Sequence, residues 1–92
     1  GINERYFTYE GVDYHHILDP FTGFPADNDL ASVTILSTSS AQGDALSTTC
    51  LLLGIEKGME LIESLDGVEA FFICKDGSTV MSTGFEEIYT PY

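Results

Sequence analysis

Both histidines of this chain, His15 and His16, sit side by side, and an acid, Asp19, follows three residues after His16. Histidine is the side chain best suited to proton transfer near neutral pH. An imidazole with a nearby carboxylate is therefore a first place to look for acid–base chemistry. Thr22 and Gly23 come next, bracketed by Pro20 and Pro25. Proline fixes φ and pushes its predecessor toward extended backbone. The stretch from His15 to Asp29 thus reads as a stiff, polar, shaped loop, the kind of segment on which sites are built. The structural alternatives are ordinary ones. Either histidine could be a satisfied, partly buried residue, Asp19 could form an Asx turn before Pro20, and Thr22-Gly23 could be turn chemistry alone.

A second polar cluster lies in Asp44-Ala45-Leu46-Ser47-Thr48. On a helix, residues four apart share a face. Asp44 and Thr48 then point the same way, with Ser47 alongside and Ala45, Leu46, Cys50, Leu52 and Leu53 on the other sides. One explanation is local: Asp44 answers the positive end of the helix dipole, while Ser47 and Thr48 bond back to the preceding turn. The other is a hard-cation site, since Mg²⁺ favours one or two carboxylates with hydroxyl, water and phosphate oxygens. One carboxylate and one hydroxyl leave such a shell incomplete.

The elements that must position these groups follow from pattern. Arg5–Tyr9 and Val12–Tyr14, joined at Glu10-Gly11, read as a β-hairpin. Leu30–Ser37 is apolar on both faces and reads as a central strand. Ser39 or Ser40 can cap a helix over 41–53 that stops at Gly54. A second helix spans 56–65 and closes at Asp66-Gly67. Val68–Lys75, the turn Asp76-Gly77 and Ser78–Ser82 form another hairpin. The tail from Thr83 is unassigned. This order predicts one α+β domain, a mainly antiparallel sheet with two helices packed on one face.

Composition narrows the function. Ninety-two residues make one small domain, able to bury roughly 60–65% of its unfolded surface. Fifteen acids against three Lys and Arg give a net charge of −12. That is the wrong sign for nucleic acid or for an anionic membrane surface, but a bound cation would let the chain hold a polyphosphate. Cys50 and Cys74 lie far apart within apolar runs and read as buried free thiols.

The two clusters together resemble one family. His-Ile-Leu-Asp-Pro-Phe-Thr-Gly-Phe-Pro (16–25), followed by Asp-Ala-Leu-Ser-Thr (44–48), is similar to the C-terminal part of the ApbE family, the FAD:protein FMN transferases. Glu4-Arg5-Tyr6-Phe7, Leu53-Gly54-Ile55-Glu56-Lys57-Gly58 and Ser82-Thr83-Gly84-Phe85 match in order as well. The resemblance implies Mg²⁺-dependent cleavage of the FAD pyrophosphate, transfer of FMN to a threonine hydroxyl of an acceptor protein, and release of AMP. It implies Asp44 and Thr48 as Mg²⁺ ligands, His16 and Asp19 at the reacting centre, and Thr22 and Gly23, with His16, in the flavin-nucleotide pocket. Acceptors would be flavin-carrying subunits of bacterial redox complexes, at the cell envelope or its periplasmic side.

Phe21 departs from the pattern, because that position is often basic in the family. Members are also considerably longer than this chain. The segment is therefore expected to be a C-terminal fragment, inactive alone, with no membrane contact of its own. The reading further expects His16 and Asp44 to converge on one pocket. The competing readings are an acidic module that binds a cation or partner without chemistry, and a structural domain whose polar stripe is a solvated helix face.

Overall fold

The computed structural model describes residues 3–20 and 29–88. Five strands, β1 (Asn3–Tyr9), β2 (Val12–Pro20), β3 (Leu30–Ser37), β4 (Val68–Cys74) and β5 (Thr79–Met81), form one antiparallel sheet in sequence order. Among the described residues three helices accompany it: α1 (Ser40–Leu53), α2 (Ile55–Glu63) and the short α3 (Phe85–Ile88). The α+β architecture is the one the sequence predicts, and β3 is the central strand.

Strand alternation sorts the side chains. Val33 and Ile35 of β3 and Val68, Ala70 and Phe72 of β4 face α1 and α2, where Cys50, Leu51 and Ile62 complete a buried cluster with Leu30. On the far face Phe71 meets Phe85 of α3, ring centroids 5.5 Å apart. The tail thus holds a helix that periodicity did not reveal, since four residues are too few to show one. Cys50 and Cys74 are free and buried, and burial pushes the Cys50 thiol up to about 11.

The helix ends follow ordinary capping chemistry. Ser39 Oγ accepts from the Gln42 amide at 3.2 Å and starts α1, one residue earlier than expected. Gly54, at φ 88°, separates α1 from α2, in a conformation that favours glycine. Leu52 and Leu53 are exposed, because the α1 residues that turn inward are Gly43, Ser47, Cys50 and Leu51.

The main correction concerns the histidine segment. His15–Pro20 is not loop but the second half of β2, paired with β3 from His15↔Ser37 to Pro20↔Ser32. The prolines suggested a loop, but Pro20 ends the strand beyond Asn3↔Leu18, the last described pair with β1. A strand terminus with a local edge is where proline is tolerated. Thr22, Gly23 and the rest of 21–28 lie outside the described residues.

Gly43 sets how closely α1 lies on the sheet. A Cβ placed there would overlap Ile17 Cδ1 and meet Ser37 Cβ at 3.4 Å. Ile17 is fully buried, so its side chain has little room to yield. Gly43→Ala is expected to destabilise by about 1–2 kcal/mol, overpacking outweighing the roughly 1 kcal/mol helix-propensity gain. Adding Ile17→Val, which removes the clashing methyl, should recover part of the loss in urea unfolding. Purely additive effects of the two changes would exclude the contact as the cause.

Candidate cation site between strand and helix

The first helix runs along β2 in the strand's own direction, and three contacts record the alignment. Ser40 Oγ donates to Glu4 Oε1, and that same oxygen meets His15 Nδ1 at 2.9 Å. Gly43 abuts Ile17. Ser47 Oγ donates to Asp19 Oδ2 at 3.0 Å. Positions 40, 43 and 47 make one helical stripe, matched to positions 15, 17 and 19, which share one strand face.

With that stripe on β2, Asp44 and Thr48 stand together on the neighbouring flank, away from the core side that carries Leu46 and Cys50. Ser47 and Thr48 bond back to the Asp44 carbonyl at 2.9 and 3.3 Å, so the local bonding foreseen for these hydroxyls is present. It concerns the backbone of Asp44 only. The first turn of α1 holds no acid, so Asp44 is not placed to answer the helix dipole. Among the described residues its Oδ1 is buried with no hydrogen-bond partner. A carboxylate oxygen removed from water without compensation costs free energy.

These groups fit a hard cation. Asp44 offers an unpartnered carboxylate oxygen, the Thr48 hydroxyl has free lone pairs while donating to the Asp44 carbonyl, and the Asp19 carboxylate lies one hydrogen bond away through Ser47. Oxygen-only donors on a strongly acidic chain suit Mg²⁺. No cluster of three or more His, Cys, Asp or Glu that could hold a metal occurs among the described residues, so these side chains would supply at most part of a shell.

His16 lies elsewhere. It stands in register between Arg5 of β1 and Leu36 of β3. Being one residue from Ile17 on a regular strand, it projects to the face opposite α1. The expectation that His16 and Asp44 meet in one pocket is therefore not met: β2 brings Asp19 to the helix and turns His16 away. Burial first, and then the Arg5 guanidinium, hold the His16 imidazole below the usual histidine pKa. His15 shares the Asp19 face, but it is spent on Glu4 and packs against Tyr6, ring centroids 6.2 Å apart. The Ser47–Asp19 bond was not foreseen. Spacing shows which residues share a helix face but not which strand residue that face will meet. A separate cleft of about 330 Å³, with Asp29, Ile55, Cys74 and Lys75 in its lining, contains none of the expected site residues among those described.

An antiparallel sheet carrying two helices, with an acid and a hydroxyl on the helix flank beside the sheet's second strand, is the setting in which relatives can be compared. The ApbE family model matches residues 1–72, and the chain belongs to the ApbE family. It is 48% identical over 84 residues to a Treponema pallidum protein named FAD:protein FMN transferase, covering 91% of this chain and 23% of that one. A Klebsiella pneumoniae protein of the same name is 42% identical, with 90% and 26% covered. The chain thus spans about a quarter of the length of these curated relatives. Among solved structures, the flavinyl transferase ApbE of Pseudomonas stutzeri in its apo form superposes with a TM-score of 0.72 at 25% identity, covering 95% of this chain and 35% of that one. The ApbE protein of Thermotoga maritima gives 0.62 at 33% identity, with 99% and 31% covered.

Proposed function

We propose that this chain is the cation-holding portion of an FAD:protein FMN transferase that moves FMN from FAD to a threonine hydroxyl of an acceptor protein and releases AMP. The observation that carries the reading is the buried, unpartnered Asp44 Oδ1 beside the Thr48 hydroxyl, in a chain whose relatives bear that name. Asp44 and Thr48 would hold Mg²⁺. When bound, the ion supplies charge neutralisation to a pyrophosphate, the main requirement of displacement at phosphorus. Thr22 and Gly23 are assigned to the flavin nucleotide. His16, turned to the sheet face opposite α1, is not within reach of a hydroxyl attacking a pyrophosphate held at Asp44, so the reading gives it no proton transfer there. The acceptor is proposed to be a flavin-carrying subunit of a bacterial redox complex at the cell envelope or its periplasmic side.

The test is FMN transfer by a full-length transferase carrying this segment. Asp44→Ala is expected to abolish both transfer and Mg²⁺ dependence. His16→Ala should leave both transfer and Mn²⁺ affinity unchanged. A large loss of transfer in a folded His16→Ala would place that residue at the reacting centre. Unaltered transfer in Asp44→Ala refutes the reading. The isolated segment is expected to be inactive, and cation binding by it that does not respond to FAD would favour a binding module without chemistry.

A further inference from the structure

Asp19 is buried, 7% exposed, and Ser47 is fully buried. The Ser47 hydroxyl has one proton and two acceptors in reach, Asp19 Oδ2 at 3.0 Å on β2 and the Asp44 carbonyl at 2.9 Å on its own helix. An ionised carboxylate is the stronger acceptor. Asp19 thereby draws the Ser47 proton away from the back-bond that bends a helix, and it ties the turn bearing Asp44 and Thr48 to the sheet. We propose that Asp19 is a positioning residue that acts through Ser47, holding Asp44 and Thr48 in place for a divalent cation. This deepens the cation reading above, on which it rests, and moves Asp19 away from the reacting centre. Groups that orient metal ligands without touching the metal commonly change affinity 10–100-fold when removed.

The geometry separates this role from direct contact. If Asp19 works as an acceptor for Ser47, asparagine can replace it, because the amide oxygen still accepts that hydrogen bond. If Asp19 touches cation or substrate, its charge is needed and asparagine fails.

The experiment is Mn²⁺ titration of a full-length transferase carrying this segment, followed by the EPR signal of free Mn²⁺, with urea unfolding to confirm that each variant is folded. Ser47→Ala and Asp19→Ala are each expected to raise the Mn²⁺ Kd about tenfold, the double variant no further than either, and Asp19→Asn to stay within about twofold of wild type. Asp44→Ala should not bind. A variant with a merely structural defect would lose stability yet keep its affinity once folded. Asp19→Asn as damaging as Asp19→Ala, with Ser47→Ala unchanged, overturns the proposal in favour of direct contact. Wild-type affinity in both Ser47→Ala and Asp19→Ala overturns it outright while leaving the cation reading intact. Absent binding by the wild type, or unchanged binding by Asp44→Ala, overturns both. Should Ser47→Ala fail to fold, the Asp19→Ala and Asp19→Asn pair carries the same contrast.

Discussion

Asp44→Ala is expected to stabilise the metal-free chain slightly while removing its response to Mg²⁺ or Mn²⁺. The two effects have opposite signs for one reason. In the metal-free state Asp44 Oδ1 is buried with no partner among the described residues, so truncating the side chain relieves an uncompensated polar group, worth about 1 kcal/mol or more. The hydrogen bonds at this turn survive, because Thr48 donates to the Asp44 main-chain carbonyl and Ser47 to Asp19, and neither uses the Asp44 side chain. Alanine is also the better helix former. In the wild type, a cation at 100 times its Kd adds about 2.7 kcal/mol. For a domain this small that corresponds to a rise in Tm of roughly 10–20 °C. Thermal unfolding with and without cation measures both signs. An Asp44→Ala chain that is destabilised without metal, or that keeps the metal-induced shift, would show that Asp44 serves the fold.

Phe72→Ala is expected to cost about 3–5 kcal/mol, the range for emptying a buried aromatic site. A 92-residue domain commonly holds only about 5–14 kcal/mol in total, so the variant should lie near its unfolding threshold at 37 °C. Phe72 is fully buried, pairs with Val33 across the sheet, and reaches α2 near Gly58, where a Cβ would come within 3.5 Å of its ring and 3.4 Å of Cys50 Cβ. The ring therefore fills the junction of β4, α1 and α2, which backbone stiffness on three sides keeps from collapsing. Leu52→Ala is the control. Leu52 is 57% exposed, and its loss should stay within about 0.5 kcal/mol. Urea midpoints with an unchanged m-value would record the difference. A Phe72→Ala cost below about 2 kcal/mol would mean that the core closes over the gap.

The elements legible in the sequence are those made by short-range rules. Glu10-Gly11 and Asp76-Gly77 announce hairpin turns, Ser39 caps a helix, Gly54 ends it, and the two-sided apolar pattern of Leu30–Ser37 marks a central strand. Each depends on backbone conformations and side-chain periods that neighbouring residues dictate. Boundaries shifted where those rules end weakly: α2 covers Ile55–Glu63, not 56–65. The histidine segment misled because Asp and Pro are poor strand formers. Pairing to β1 and β3 overrides that preference, and no local signal reports the pairing.

The sequence by itself determined the hairpins, the two long helices, the acidic charge and the shared flank of Asp44 and Thr48, because all of these follow from periodicity and composition. Only the tertiary structure decided that β2 runs on through Pro20, that His16 faces away from α1 while Asp19 faces it, and that Ser47 joins Asp19 to the Asp44 turn. Those outcomes depend on which face of a strand meets which stripe of a helix. That choice is settled by burying Ile17 against Gly43, two residues 26 positions apart, and no spacing within either segment encodes it.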